Sequence, residues 1–216
     1  MNAERQLAAL LEAAGPGVAA GLARMEARLE EIAAGDGEAL AAHARRMVAA
    51  GGKRLRPLLV LLAAGPDDPP TAAVAAAVAV ELLHTATLVH DDVLDRAPLR
   101  RGRPTVFATA GPHAATATGD LLFARAFAEL AGTGSAGAVE ALSAASTALA
   151  RGELLQRADA WDAEVAVDRY VERCGLKTGS LFAAAARLGA LLGDGGGDPD
   201  GLAAFGDHVG VAFQIL

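Results

Sequence analysis

Three carboxylates at the end of an apolar, helix-forming run are the residues of this sequence best suited to chemistry. Asp91 and Asp95 are four apart, so on a helix they lie one above the other, with His84 and Thr87 on the same stripe. Asp92 points away by one step. Carboxylate oxygens suit Mg²⁺, which keeps bound waters and is completed by substrate phosphates. The spacing therefore predicts a metal site at the mouth of an apolar space.

A solvated helix end is the alternative interpretation of these aspartates. Acidic side chains at the C-terminus of a helix oppose its dipole, so the placement has a small cost in stability. A cost without a structural return favours a functional role.

Two basic clusters could supply anion sites beside that metal. Arg100 and Arg101 have guanidinium forks that match phosphate oxygens. Lys53 and Arg56 follow two glycines, which let an anion approach the backbone before the next helix. Taken alone, a solvated loop and a plain turn explain these clusters at least as well, and the glycine loop lacks Walker spacing. Together with the aspartates, they predict two phosphorylated substrates.

The elements that must position these residues are all helices. Hydrophobic residues make up 53% of the 216 and aromatic residues only 4%, with alanine dominant. Pro57 is expected to open its helix, and residues 96–112 are expected to form a polar connection. No linker divides the chain, so residues 1–216 are predicted to form one domain. The predicted helices are 3–14, 18–34, 38–49, 57–64, 71–95, 113–131, 136–160, 163–177, 179–192 and 201–216.

Charge and composition limit the partners and the location. A net charge of −7 argues against a nucleic-acid partner. Cys174 is the only cysteine, which excludes an internal disulfide and favours a reducing, cytoplasmic location. The apolar stretch 72–80 is too short and too rich in alanine to span a bilayer, so no stable membrane insertion is expected.

Several motifs resemble those of the trans-type isoprenyl diphosphate synthases, the polyprenyl synthetase family. The resemblance covers about residues 40–216. Its motifs follow in family order: residues 52–57 (GKRLRP), 84–95 (HTATLVHDDVLD), 99–105 (LRRGRPT), 119–127 (GDLLFARAF), 152–156 (GELLQ), 177–182 (KTGSLF) and 205–215 (FGDHVGVAFQI).

This resemblance implies an all-α bundle around a central active-site cavity, of the isoprenoid-synthase type, in a homodimer. It implies a prenyltransferase that condenses isopentenyl diphosphate with an allylic diphosphate. Asp91 and Asp95 would hold Mg²⁺, with Asp92 beside them. The remaining roles are also implied by the resemblance: Lys53, Arg56, His84 and Arg101 would bind isopentenyl diphosphate, and Arg100, Lys177, Thr178 and Gln214 the allylic diphosphate.

Product length in this family depends on the aspartate helix before the metal site. Ala86 and Thr87 are small, and Leu83 sits deeper. A ring at position 86 or 87 would cap a short product, so we expect a product of twenty carbons or longer.

The family pattern continues beyond residues 213–215 with a second aspartate-rich motif and further helices. Leu216 is the last residue of the sequence. We therefore expect one wall of the metal site and the C-terminal helices to be missing, and negligible turnover of these 216 residues in a Mg²⁺-dependent condensation assay.

Two alternatives to an enzyme of this kind stay open. One is a non-catalytic partner subunit of a heteromeric polyprenyl synthase. The diphosphate-binding residues speak against it, because a purely regulatory subunit need not keep them. The codons after Leu216 would discriminate between the two. A terpene cyclase of related fold fits less well, because it has less use for the basic residues of the motif at 52–57.

Overall fold

The computed structural model describes residues 3–35 and 52–216, and helices dominate this part of the chain. A short hairpin, β1 (Leu99–Arg100) and β2 (Arg103–Pro104), joins two of the helices. A π-helical segment, Gly175–Gly179, follows α7. The helices are α1 Ala3–Ala14, α2 Pro16–Ala34, α3 Leu55–Ala64, α4 Thr71–Leu94, α5 Val106–Ala131, α6 Ala136–Ala158, α7 Val167–Cys174, α8 Ser180–Leu192 and α9 Pro199–Ile215. The predicted helix 38–49 lies outside the described residues.

The all-α prediction is confirmed, but three of its details are wrong. Helix α3 begins at Leu55, so Pro57 lies in its first turn and does not open it. The connection predicted over 96–112 contains the hairpin and the first turns of α5, because Gly111 (φ 82°) allows a kink before Pro112 that α5 runs through. The helix predicted over 163–177 begins only at Val167 and becomes π-helical at Gly175.

Helix α4 forms the centre of the hydrophobic core. It packs against α2, α3, α5, α6 and α8, and the side chains from Val78 to Val80 are fully buried. A helix surrounded by other helices buries apolar residues on every side, which explains why α4 has no polar face before its C-terminal half.

The expectation about the length of this apolar stretch was wrong, because it counted residues 72–80 alone. Helix α4 has 24 residues, and in the described chain it is the one helix long and apolar enough to cross a membrane. Its most apolar 18-residue window, of mean hydropathy 1.8, is 72% buried within the protein. That burial matches a core helix.

Glycines allow the closest helix contacts. A Cβ at Gly189 of α8 would overlap the carbonyl oxygen of Val60 in α3 and lie 2.7 Å from the Cβ of Ala63. At Gly210 of α9 it would lie 2.7 Å from the Cα of Gly179. These glycines bring α3 and α9 against α8 and the π-helical segment, both of which lead to the site described below.

Replacing Gly189 by alanine should destabilise the fold. The added methyl group meets backbone in a packed contact, so we expect Gly189→Ala to lower the free energy of unfolding by about 1–3 kcal/mol. Gly137→Ala, in α6, is the matched control, because a Cβ there meets nothing within 4 Å. Urea unfolding of both variants measures the difference, and equal stability of the two would contradict the packing described.

Candidate active site

One cavity of about 750 Å³ brings most of the predicted site residues together. Its walls come from α3, α4, α5, α6, α8, α9, the π-helical segment and the two loops that carry the basic clusters. Its size suits a substrate of moderate length. The predicted residues on its wall are Lys53, Arg56, His84, Thr87, Asp91, Arg100, Arg101, Lys177, Thr178 and Gln214.

Arg56 is a desolvated cation facing this cavity. Its guanidinium carbon lies 4.5 Å from the ring centroid of Phe182, a cation–π contact. Its Nε is buried and makes no hydrogen bond with any described residue. Burial lowers the pKa of Arg56 to about 10, and the charge of Glu81 only partly offsets this. A buried cation with spare donors favours the binding of an anion.

His84 lies in the same basic region of the cavity. Burial lowers its pKa well below the ordinary value, and the positive charges of Arg56 and Arg101 lower it further. The imidazole is therefore neutral near pH 7 and can donate or accept one hydrogen bond beside the arginines.

The hairpin orients the second basic cluster. Arg101 and Gly102 both have positive φ, 51° and 75°, as a two-residue type I′ turn requires. The turn places Arg101 against the other basic loop, since a Cβ on Gly52 would lie 3.1 Å from the Arg101 Nη1. Arg100 is held by Asp92, because its Nε donates a hydrogen bond to this buried carboxylate at 2.8 Å. Two loops distant in sequence thus form one basic end of the cavity.

Arg54 anchors the first basic loop, a role that the sequence analysis missed. Its Nη1 donates to Glu81 of α4 at 2.5 Å, and its Nε donates to Glu26 of α2 at 2.6 Å. The backbone of Arg54 is left-handed (φ 48°, ψ 34°), which is uncommon outside glycine and needs support from its surroundings. The two carboxylates supply that support, which leaves Lys53 and Arg56 directed toward the cavity.

The three aspartates have different surroundings. Asp91 lines the cavity, and burial raises its pKa, an effect that the charge of Lys177 opposes. Asp95 is half exposed and accepts a hydrogen bond from Arg157 at 2.8 Å. Asp92 is buried and bound to Arg100, and it does not line the cavity. Asp95 is the residue that follows α4, and it does not line the cavity either. Asp92 is thus placed to hold an arginine, whereas the Asp91 and Asp95 carboxylates could hold metal.

The π-helical segment directs Lys177 and Thr178 into the cavity. Lys177 Nζ lies 2.5 Å from Glu153 and 3.8 Å from Asp91. Thr178 donates to the side-chain oxygen of Gln214 in α9 at 2.6 Å. A π-helical turn contains an extra residue, so it changes the directions of the side chains that follow, and here Lys177 and Thr178 both line the cavity.

Glu153 is a second residue whose role the sequence analysis missed. Its carboxylate accepts one hydrogen bond from Lys177 and another from Arg157, the latter at 2.9 Å. Burial acts to raise its pKa, but these two cations outweigh burial and the pKa is lowered. The motif at 152–156 drew attention to this position, but nothing local could identify partners from another segment.

The residues predicted to govern product length divide between wall and core. Thr87 lines the cavity, and its hydroxyl donates to the carbonyl of His84 at 2.7 Å. Ala86 and Leu83 are fully buried and lie behind the cavity wall.

The donor set fits a divalent cation completed by substrate. Asp91 and Asp95 present carboxylate oxygens, and each already faces a cationic side chain, Lys177 and Arg157 respectively. Within residues 3–35 and 52–216, no three His, Cys, Asp or Glu side chains converge enough to hold a metal. Mg²⁺ bound here would need waters or phosphate oxygens as its other ligands, as is usual for this ion.

A helical bundle around a cavity with basic and acidic regions defines the isoprenoid-synthase class of fold. The polyprenyl synthetase family model matches residues 37–216. The chain belongs to the polyprenyl synthetase family.

Individual relatives agree with this assignment. The chain is 40% identical over 199 residues to heptaprenyl diphosphate synthase component 2 of Geobacillus stearothermophilus, covering 90% of this chain and 61% of that protein. A decaprenyl diphosphate synthase from Rhodobacter capsulatus superposes with a TM-score of 0.85 at 37% identity, covering 92% of this chain and 62% of the other.

A polyprenyl synthase from Caulobacter crescentus, solved with calcium and isoprenyl diphosphate, gives a TM-score of 0.83 at 38% identity. That comparison covers 91% of this chain and 60% of the other. The chain thus spans about three fifths of the length of these relatives.

Loss of the Glu81 charge should release the Arg54 anchor. Both side chains are largely buried, 8% and 12% exposed, and breaking a buried pair leaves an uncompensated charge. We expect Glu81→Gln to lower the free energy of unfolding by about 2–4 kcal/mol. Glu26→Gln removes the more exposed partner and should cost about 1 kcal/mol or less. Thermal and urea unfolding measure both, and the reverse order would contradict the anchoring role of Glu81.

Proposed function

We propose that this protein condenses isopentenyl diphosphate with an allylic diphosphate, head to tail, and releases inorganic diphosphate. The observation that supports the proposal most is the arrangement of charge in one cavity. Arg56 and His84, in its basic region, line the same cavity as Asp91 and Lys177. Membership of the polyprenyl synthetase family supports the same reaction.

Two diphosphates would occupy different regions. Isopentenyl diphosphate would bind Lys53, Arg56, His84 and Arg101, where donors face the cavity. The allylic diphosphate would lie beside Asp91 and Lys177, with Arg100, Thr178 and Gln214 also on the cavity wall. This placement leaves the apolar parts of both molecules over the residues of α4.

Negative charge develops on the leaving diphosphate when the allylic C–O bond breaks. The isopentenyl double bond supplies the electrons of the new C–C bond, and a proton then leaves the product. Lys177 and Arg100 would stabilise the leaving group. Mg²⁺, which we propose as the cofactor at Asp91 and Asp95, would neutralise part of the same charge. The Caulobacter relative was solved with calcium and isoprenyl diphosphate, which supports the use of a divalent cation.

We propose a product of twenty carbons or longer. Thr87 is the residue of the predicted length-determining set on the cavity wall, and it is small. Relatives named as heptaprenyl and decaprenyl diphosphate synthases support long products.

We propose that the protein assembles as a homodimer. We also propose a cytoplasmic location, which the single cysteine, Cys174, supports because it is free and buried. The Geobacillus relative is named as component 2 of its synthase, so a heteromeric assembly is the alternative. Sedimentation equilibrium of the purified chain discriminates between them: a self-associated dimer supports the first, and a monomer supports the second.

Arg56 should be a main determinant of isopentenyl diphosphate affinity. Because its guanidinium is desolvated, a charge-assisted contact to diphosphate should be strong, and we expect Arg56→Gln to weaken binding about 10- to 100-fold. The affinity of Arg56→Lys should lie between those of the wild type and Arg56→Gln, since lysine keeps the charge but lacks the forked guanidinium. Isothermal titration calorimetry measures the affinities, with the exposed Arg151→Gln as control. Unchanged affinity in Arg56→Gln would refute the assigned substrate site.

Product length gives a second, independent prediction. In protein expressed from the whole reading frame, Thr87→Phe should shift the products toward shorter chains, because a ring would fill the space beside α4. Thr87→Val keeps the volume and should leave the product length unchanged. Chromatography of the dephosphorylated products gives the distribution. A wild-type product of only fifteen carbons would refute the proposed length.

A further inference from the structure

Five charged side chains form an alternating series around the predicted metal site. Asp91 lies 3.8 Å from Lys177 Nζ, which donates to Glu153 at 2.5 Å. Glu153 accepts from Arg157 Nε at 2.9 Å, and Arg157 Nη2 donates to Asp95 at 2.8 Å. The series begins on Asp91, in the last turn of α4, and ends on Asp95, the residue that follows α4. Each aspartate therefore already has a cation beside it.

The contact between Arg157 and Asp95 contributes little to the fold. Their side chains are 43% and 52% exposed, and exposed ion pairs are weak because water and salt screen them. The contact joins the end of α6 to the residue that follows α4, where neither backbone depends on it. A weak contact at this position can exchange with a competing ion at little cost.

Glu153 would hold Arg157 in place when that contact breaks. Arg157 and Glu153 are four apart on α6, the spacing at which helical side chains meet. The guanidinium uses different nitrogens for its two partners, Nε for Glu153 and Nη2 for Asp95. Arg157 can therefore release Asp95 without losing its other carboxylate.

We propose that Arg157 is an internal competitor for the divalent cation at Asp95. This inference rests on the proposed metal site of the enzyme. In the metal-free protein the guanidinium occupies the Asp95 carboxylate. A divalent cation must displace it, and Glu153 retains the displaced group through Nε. Arg157 thereby lowers the metal affinity and sets the cation concentration at which the site fills. Diphosphate that arrives with its own cation would compete with Arg157 more effectively than the free ion.

The test measures Mn²⁺ affinity directly, by electron paramagnetic resonance of the unbound ion. Mn²⁺ suits carboxylate and water ligands and replaces Mg²⁺ as a spectroscopic probe. Removing the competitor in Arg157→Gln should tighten Mn²⁺ binding about two- to five-fold, the range expected for an exposed pair. Arg157→Lys keeps a cation on α6 and should bind Mn²⁺ with nearly the wild-type affinity.

Arg151→Gln is the matched control. It removes the same charge from an exposed position of α6. The side chain at position 151 points about 200° around the helix from that of Glu153. Its Mn²⁺ affinity should equal that of the wild type. If Arg151→Gln tightens binding as much as Arg157→Gln does, net charge explains the gain and the proposal fails.

Two further outcomes would also overturn the proposal. One is unchanged or weaker binding in Arg157→Gln. The other is undetectable Mn²⁺ binding in every variant, because a competitor requires a metal to compete with. Asp95→Asn identifies the site, since Mn²⁺ affinity that is unchanged in this variant would place the ion elsewhere. The proposed function is tested separately by isopentenyl diphosphate binding at Arg56, which does not involve Asp95.

Discussion

The burial of helix α4 is the constraint on which the rest of the structure depends. Its segment 72–80 is apolar on every side and packs against neighbouring helices, so the position and rotation of α4 are fixed by close packing. Glu81, His84 and Asp91 lie further along the same helix. The core therefore sets the directions of these three side chains. One rigid helix thus supplies the carboxylate that anchors a loop (Glu81), a neutral imidazole (His84) and a carboxylate on the cavity wall (Asp91).

Charge is distributed so that strong cations remain available to a ligand. Arg54 is held by two carboxylates and Arg100 by Asp92, so these arginines can order the loops around them. Arg56 stacks on the ring of Phe182 and, among residues 3–35 and 52–216, forms no salt bridge with a carboxylate. The protein thus uses Arg54 as structural support, orients Arg100 through Asp92, and keeps the desolvated Arg56 for the anion. Such an arrangement is stable only while the supporting pairs hold, which links the stability of α2 and α4 to the affinity of the site.

Local patterns predicted much of the fold and part of the site. Helical periodicity on α4 predicted that His84, Thr87 and Asp91 share a face, and all three line the cavity. Helix ends were harder, because the Gly111 kink and the π-helical segment depend on tertiary packing. The pairings of Glu153 and Arg157 join α6 to α4 and to the π-helical segment. Contacts between distant segments leave no periodic signal in a single sequence, so these residues emerged only from the structure.

A crystal structure of the chain with isopentenyl diphosphate bound would test the central claim most directly. The account predicts diphosphate oxygens within hydrogen-bonding distance of the Arg56 guanidinium and the His84 imidazole, with the hydrocarbon part directed toward Asp91. Diphosphate bound outside the cavity, away from the Arg56 guanidinium, would contradict it.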